Sequence, residues 1–386
     1  MHAVKVNRKA ANRLDSGHPW IFASDVLDRG SAGPGEAVHV FDPQHKPLGT
    51  AHYSSSSQIT LRFLTRQLTE IGPSFYRDAL QSAIAHRQRI VRDTDAYRLV
   101  HAEGDLLPGL IVDKYGDSLV IQTLTQAMDR AKDMVVEALT DLLHPASIVE
   151  RNDASVRQRE ELPLHKGVLR GQAQESAIEM NGLRWQVDLL HGQKTGVYLD
   201  QRENYAAAAR WGRGGKALDC FTSTGGFALH LARTCQSVEG VDSSAHALQT
   251  AARNQSNNNI ANVTWRESDV FDALMSYGSA RRHFDLIVLD PPAFAKSRGA
   301  VEGAGRGYKE INLRALRLLQ RGGVLVTCSC SHHFNEGMLL QTVAEAALDA
   351  GRTLRILERR AQAQDHPVLL TVPETLYLKC LIFEVL

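Results

Sequence analysis

The chain has 386 residues, of which 43% are hydrophobic and 23% charged, as in an ordinary globular protein long enough for two or three domains. Its net charge of +1 at pH 7 excludes a basic surface over the whole molecule and confines any nucleic-acid-binding face to one part of it. The five cysteines include no Cys-x-x-Cys pair, so we expect no disulfide scaffold and a cytoplasmic location. No apolar run approaches the ~18 residues of a membrane helix, so we expect no membrane protein.

Residues 1–68 predict a small β-rich module. Its strand-like runs, among them 37–41 and 58–63, are separated by Pro, Gly and Ser turn residues. Eight Lys or Arg and five Asp or Glu give the module a net charge of +3, and four of the bases cluster before Gly-His-Pro-Trp-Ile-Phe at 17–22. Bases beside an aromatic residue are typical of an RNA-contacting face. Equally, the bases could be a solvated helix face and Trp20 a core residue.

Residues 72–172 predict an α+β unit. Helical spacing at 73–92 and 128–143 alternates with strand-like runs at 119–124 and 147–150. The segment 101–110 is punctuated by glycines and a proline, so it is either a functional loop or, as we expect, a loop that packs one domain against another. This unit has no motif that indicates a chemistry.

From about residue 180 the pattern becomes regular. Strands and helices alternate, which predicts a doubly wound parallel sheet. The last two strands are close enough in sequence to form an antiparallel edge. The expected strands are 216–220, 237–241, 262–267, 286–289, 324–328, 354–357 and 377–385.

Acidic residues mark the ends of four successive strands: Asp219, Asp242, Asp269 and Asp290. Open α/β sheets bind their ligands at this carboxyl edge. The turn bearing Gly225 lets backbone approach a ligand, Asp242 is placed to accept from ribose hydroxyls, and Asp269 to meet an adenine amine. Because the turn is neither Gly-x-Gly-x-x-Gly nor a P-loop, the pattern indicates an adenosine-containing cofactor other than a dinucleotide or a triphosphate.

The run Asp290-Pro291-Pro292 stops an unbroken apolar strand. Two prolines cannot continue a ladder, because they donate no amide hydrogen and their φ is fixed. A carboxylate followed by a stiff loop with few donors suits the binding of a flat nucleobase. The alternative is a strand that ends at prolines with a capping Asp.

Two cysteines, Cys328 and Cys330, follow the fifth strand. A cysteine beside the Asp-Pro-Pro edge can attack C6 of a pyrimidine, which makes C5 nucleophilic enough to accept a methyl group. Its thiol must be partly ionised. The run Cys-x-Cys-x-His-His also allows zinc, but its spacing differs from the usual ligand sets and no metal is expected. For Cys328 alone we expect a buried structural thiol.

The acidic strand ends resemble those of class I S-adenosylmethionine-dependent methyltransferases, and the whole chain resembles bacterial 23S rRNA 5-methylcytosine methyltransferases of the RlmI type. The runs that carry the likeness are 17–22, 103–110, 192–202, 219–227, 290–294, 307–312 and 329–331. The resemblance implies a PUA RNA-binding domain (1–68), an α+β middle domain (72–172) and a methyltransferase domain (180–386). The last would be α/β and Rossmann-like, with a seven-stranded, mainly parallel sheet.

The resemblance also implies site residues. Cys330, rather than Cys328, would attack C6 of a flipped-out cytosine, and a protonated Asp290 would hydrogen-bond N3. Contacts to S-adenosyl-L-methionine are expected from Gln201, Asp219, Phe221, Gly225, Asp242, Ser243, Asp269, Val270 and Asp290. Contacts to the cytosine are expected from Lys194, Pro291, Pro292 and Phe294.

Several points stay open at this level. Ala293 stands where many RNA cytosine-C5 methyltransferases carry a second cysteine, so the base that releases the adduct could be Cys328, Lys194 or a water. Methylation of a purine nitrogen, methylation of uracil C5, and a non-enzymatic RNA-binding or ribosome-assembly role are the rival functions. The expected partner is 23S rRNA, and the oligomeric state is left between a monomer and a homodimer.

Overall fold

The structure is a computed structural model that describes residues 1–172, 175–190, 192, 197–295 and 297–386, with the backbone alone at Arg298. The chain divides into two compact units. The first comprises Met1–Ile178, Val187–Val197 and Gln364–Thr375, and the second Glu179–Gln186, Tyr198–Ala363 and Leu376–Leu386. The first unit contains both of the modules expected before residue 172, each with its own core. The division into three domains stays a prediction.

The N-terminal module of the first unit is β-rich, as expected. Its elements are β1 (His2–Val6), α1 (Arg8–Asp15), β2 (Trp20–Phe22), β3 (Val26–Asp28), β4 (Ala37–Phe41), β5 (Pro47–Tyr53) and β6 (Ile59–Thr65). The sheet order is β2-β6-β5-β4-β1-β3. Helix α1 starts where the Asn7 side chain accepts from the amide of Ala10, and it buries Ala10, Ala11 and Leu14 against the sheet.

Two residues of the cluster of bases and aromatics in this module, Arg13 and Trp20, have structural contacts. The Arg13 guanidinium lies 4.7 Å from the centre of the Phe22 ring, and Trp20 donates its indole hydrogen to Glu103 at 2.9 Å. Glu103 belongs to the segment 101–110, in which a Cβ at Gly104 would come within 2.7 Å of the Pro367 carbonyl. This segment therefore packs against other parts of the first unit, and its expected place between two domains stays a prediction.

The second module of the first unit packs helices on a sheet with the order β11-β10-β9-β8-β7. Its elements are α2 (Pro73–Ile90), β7 (Ala96–His101), β8 (Leu110–Tyr115), β9 (Ser118–Thr123), α3 (Gln126–Arg130), α4 (Lys132–Leu143), β10 (Ser147–Asn152) and β11 (His165–Gly171). Leu80 of α2 and Val135 of α4 share one core with Ile121 of β9. A two-stranded sheet follows, formed by β12 (Glu175–Met180) and β13 (Leu183–Asp188).

The second unit is the doubly wound sheet that the sequence predicts. Its helices are α5 (Arg202–Arg210), α6 (Gly226–Leu231), α7 (Ala245–Asn257), α8 (Val270–Ser279), α9 (Val301–Leu318) and α10 (Glu336–Asp349). Its strands are β14 (Lys216–Cys220), β15 (Ser237–Asp242), β16 (Val263–Glu267), β17 (Phe284–Leu289), β18 (Leu319–Ser329), β19 (Leu354–Arg360) and β20 (Lys379–Val385). In the described part of the chain this sheet has seven strands.

The order of this sheet is β16-β15-β14-β17-β18-β20-β19. The first five strands are parallel, and β20 runs antiparallel between β18 and β19, which confirms the antiparallel edge. Cys220 pairs with Leu289, and Leu289 with Thr327, so the carboxyl ends of β14, β17 and β18 lie side by side. Within the described residues, no helix combines the length and the apolar character that a membrane crossing requires.

A buried ion pair supports the first unit. Arg87 of α2 is 1% exposed and forms two hydrogen bonds with the Asp105 carboxylate. It also donates to the carbonyls of Arg98 and Asp365 at 2.8 Å. One guanidinium therefore links α2, β7, the 101–110 segment and the segment near residue 365.

Replacement of Arg87 by Met should lower the free energy of unfolding of the first unit by about 3–5 kcal/mol, because the Asp105 carboxylate stays buried without the charge that compensates it. The matched control is Arg89→Met, an exposed arginine of the same helix, for which we expect a change below about 0.5 kcal/mol. Urea titration followed by circular dichroism measures both. Equal losses in the two variants would contradict this account.

Candidate active site

The loop after β14 curls back over the neighbouring strand. Phe221, Ser223 and Gly225 have positive φ values of 62°, 50° and 91°, and the Thr222 amide donates to the Val241 carbonyl at 3.0 Å. At Gly225 an added Cβ would lie 2.9 Å from the Trp265 ring, in a backbone conformation that L side chains rarely adopt. Glycine is therefore required at this point for both its conformation and its size.

Asp219 stabilises this loop through hydrogen bonds. It lies inside β14 rather than at the tip and is fully buried, and its Oδ2 accepts from Thr222 Oγ1 at 2.5 Å and from the Ala228 amide at 2.9 Å. Burial raises the pKa of this carboxyl to about 7. Among the described residues, its Oδ1 and the hydroxyl of Ser223 are buried without a hydrogen-bond partner.

Asp242 and Asp269 stand at the same edge of the sheet. Asp242 ends β15 and accepts from the amides of Ser223 and Ser244, both at 2.9 Å. Ser243, which follows Asp242 in the chain, is exposed. Asp269 is exposed and caps α8, accepting from the Phe271 amide at 2.8 Å, while the next residue, Val270, is buried.

These residues fit an adenosine cofactor that carries hydroxyl and ammonium donors. Each carboxylate oxygen of Asp242 accepts one amide hydrogen and can accept a second donor. The buried Oδ1 of Asp219 is an acceptor that costs free energy unless a donor reaches it. The positive φ of Gly225 lets the loop turn back at this edge of the sheet.

Ser331 brings the two other predicted motifs together. This residue is fully buried, and its hydroxyl accepts from the Ala295 amide at 3.1 Å and bonds with the Tyr308 hydroxyl at 3.0 Å. Ala295 belongs to the loop that begins at Asp290, and Ser331 directly follows Cys330. The Asp-Pro-Pro loop and the Ser-Cys-Ser run are therefore linked at one side chain.

Aromatic rings support the same region. Phe294 lies 4.7 Å and Phe334 4.8 Å from the Tyr308 ring, measured between ring centres. Phe294 is partly exposed, as a base-contacting ring must be. Pro291 is buried and Pro292 exposed, so the two prolines present different faces of the loop.

Tyr198 lies near residues that the sequence predicts for the cofactor and near the predicted nucleophile. Its pKa is raised by burial, then by the charges of Asp290, Asp200, Cys330 and Asp242. Three predicted site residues, Asp290, Cys330 and Asp242, thus lie near a single phenol. The sequence analysis included Tyr198 in the run 192–202 but gave it no role.

The two candidate cysteines have different environments. Strand β18 ends at Ser329, so Cys330 lies beyond the sheet and is partly exposed, whereas Cys328 lies inside it and pairs with Cys380 of β20. Burial, followed by the hydrogen bond with Cys380, raises the pKa of the Cys328 thiol well above its ordinary value. The expected burial of Cys328 is confirmed. Over the described ranges, no three His, Cys, Asp or Glu side chains form a group that could hold a metal ion.

Gln201 and Lys194 are the two remaining predicted contacts. Gln201 is 2% exposed, and its Oε1 accepts from Asn204 at 2.7 Å. Its amide also lowers the pKa of the Cys328 thiol, so it lies beside the sheet interior, and its role toward a cofactor stays a prediction. Lys194 lies outside the described residues, as does most of the Gly-Gln-Lys-Thr-Gly run.

Lys379 is the residue of this region that the sequence analysis missed. It is 5% exposed and opens β20 opposite Ser329, and its ammonium donates to the carbonyls of Ser331 at 2.7 Å and Tyr377 at 2.9 Å. Burial lowers its pKa to about 8, against the opposing charges of Cys330 and Glu336. The signal in the sequence was a lone lysine at the start of an apolar strand.

Comparisons with known proteins agree with this geometry. Residues 4–66 match the family model of a PUA-like domain, and residues 136–384 match that of an S-adenosylmethionine-dependent methyltransferase. The chain is similar to a protein named ribosomal RNA large subunit methyltransferase I from Shewanella amazonensis, with 41% identity over 99% of both chains. A relative of the same name from Tolumonas auensis is 41% identical over 95% of this chain and 94% of its own.

Solved structures show the same fold at lower identity. A putative methyltransferase from Streptococcus mutans aligns over 100% of both chains with a TM-score of 0.85 and 20% identity. A putative methyltransferase, SMU.776, complexed with SAH, aligns over 100% of both chains with a TM-score of 0.87 and 20% identity. This chain therefore belongs to the ribosomal RNA large subunit methyltransferase I family, and it combines a PUA-like domain with an S-adenosylmethionine-dependent methyltransferase domain.

Proposed function

We propose that this enzyme methylates C5 of a cytosine in 23S rRNA, and that Cys330 forms the transient bond to C6. The observation that carries the proposal is the link through Ser331, which joins the Asp290 loop to the loop of Cys330. Of the five cysteines, all within the described residues, only Cys330 is partly exposed, and the other four are buried. A nucleophilic thiol must reach its substrate, so exposure at this edge favours Cys330.

Ribosomal RNA as the substrate is supported by two findings. The full-length relatives are named for the large-subunit RNA, and the N-terminal residues match a PUA-like domain. The exposed bases on α1, Arg8 and Lys9, are available for phosphate contacts. A cytoplasmic location and a homodimer stay predictions.

Each residue then has a stated part in the reaction. The Cys330 thiolate adds to C6 of a cytosine turned out of its stack, and a protonated Asp290 donates to N3, where the negative charge of the adduct accumulates. A carbonyl of the Pro291-Pro292 segment accepts from the cytosine amine, and Phe294 contacts the base. The base that removes the C5 proton is Cys328, Lys194 or a water. Cys328 is the least suited of the three because it is buried.

S-adenosylmethionine, when bound, supplies the methyl group that the activated C5 accepts. We assign its adenosine end to Asp242, Ser243, Asp269 and Val270 at the strand ends, and its close backbone contact to the loop of Phe221 and Gly225. Asp219 orders that loop and offers its buried Oδ1 as an acceptor. In this assignment, the Asp-Pro-Pro loop and Cys330 form the part of the site that binds the cytosine.

RNA that contains 5-fluorocytosine should form a covalent adduct with the wild-type enzyme in the presence of S-adenosylmethionine, because fluorine at C5 cannot leave as a proton does. The adduct should persist in Cys328→Ala and be absent from Cys330→Ala. Denaturing gel electrophoresis of labelled 23S rRNA measures it. Cys328→Ala is the matched control, two residues away and inside the strand.

Two results would contradict this proposal. Loss of the adduct in Cys328→Ala alone would assign the nucleophile to that residue. Methyl transfer to RNA without any adduct would exclude the covalent route and favour methylation of a purine nitrogen, which needs no thiol. Identification of the methylated nucleoside by mass spectrometry separates cytosine from uracil.

Asp242→Asn should weaken the binding of S-adenosylhomocysteine by about 10- to 100-fold, since hydrogen bonds to a charged acceptor contribute about 1.5–3 kcal/mol. Glu302→Gln, which removes an exposed carboxylate on α9 of the same unit, should leave the affinity unchanged. Isothermal titration calorimetry measures both. Unchanged affinity in Asp242→Asn would place the ribose elsewhere.

A further inference from the structure

The cysteine loop lies against a buried lysine. Lys379 of β20 pairs with Ser329, the last residue of β18, and its ammonium donates to the carbonyl of Ser331 at 2.7 Å. Those two residues flank Cys330 in the chain. The strand register and this hydrogen bond therefore fix the lysine against the two residues that flank Cys330.

Lys379 is 5% exposed, and burial of a charged ammonium costs free energy unless other groups compensate its charge. Its acceptors are neutral carbonyls, those of Ser331 and Tyr377. An ammonium has three hydrogens, so two carbonyls leave one for another acceptor. The charges that act on this ammonium are those of Cys330 and of Glu336, the first residue of α10.

We propose that Lys379 is a positioning residue for Cys330, whose ammonium fixes the turn at residues 329–331 and stabilises the Cys330 thiolate. The thiol proton leaves to solvent, and no other bond forms or breaks. This inference rests on the proposed function, in which Cys330 is the nucleophile. It assigns to the chain's own lysine the positive charge that an ionised cysteine needs.

The neighbouring groups are consistent with this role. Tyr308 of α9 bonds with the hydroxyl of Ser331 at 3.0 Å, and its pKa is raised by burial and by the Cys330 charge. The charges of Asp290 and Cys330 both raise the pKa of Tyr198. A thiolate among a tyrosine and a carboxylate requires a cation, and Lys379 provides one. Because burial lowers the pKa of Lys379 to about 8, this support should decline above that pH.

The test is the pH dependence of alkylation at Cys330 in the full-length enzyme. Iodoacetamide modification, resolved by peptide mass spectrometry, gives the apparent pKa of this thiol without any RNA. In the wild type we expect a midpoint below the ~8.5 of an ordinary cysteine. Lys379→Met should raise the midpoint by about 1 pH unit and slow alkylation at pH 7 by about tenfold.

Lys216→Met is the matched control, because Lys216 is an exposed lysine at the amino end of β14, and it should leave the midpoint unchanged. Binding of S-adenosylhomocysteine reports whether each variant is folded. Lys379→Arg, which keeps the charge, should keep the midpoint closer to that of the wild type than Lys379→Met does.

A wild-type midpoint at or above ~8.5 would overturn the proposal, whether or not the variants fold. An unchanged midpoint in folded Lys379→Met would also overturn it and leave the lysine a structural role only. The 5-fluorocytosine adduct is a separate readout. Its absence from a wild type with a low midpoint would refute cytosine chemistry while the pairing of Lys379 with Cys330 stands.

Discussion

The site depends on the buried residue Ser331. Its hydroxyl holds the loop after β17 through the Ala295 amide, and it also bonds with Tyr308 of α9. Its carbonyl accepts from Lys379 of β20. Three elements that are distant in sequence are thus fixed to the residue that follows Cys330. Because the hydroxyl is fully buried, water cannot replace these partners, and the relative position of the two loops is well determined.

Much of this fold follows from the sequence, since unbroken apolar runs that end at acids predict buried parallel strands and a ligand edge. The edge contains Asp242, Asp269 and Asp290 where the pattern puts them. Asp219 differs, because it lies inside β14 and uses one oxygen to hold the loop. A strand-end acid can bind a ligand or order a turn, and the sequence pattern is the same for both.

The sequence did not indicate the contact between Lys379 and Ser331, and the reason is topological. Lys379 reaches Ser331 only because β20 is inserted between β18 and β19 in antiparallel register. The pattern predicted an antiparallel edge but not this order or register. In the first unit, likewise, the bases and Trp20 allowed two interpretations. The bond from Trp20 to Glu103, 83 positions away, shows that this aromatic at least is tied into the packing.

The difference between Cys328 and Cys330 comes from the point at which β18 ends. Within the strand, Cys328 faces Cys380 in a fully buried position, where the ionised thiol is unfavourable. One residue after the strand, Cys330 is partly exposed, and the ammonium of Lys379 donates to the carbonyl of the next residue, Ser331. The two thiols have the same chemistry in the unfolded chain. Their separation into a buried and a partly exposed cysteine is therefore a consequence of where the ladder with β20 stops, at the pair of Ser329 and Lys379.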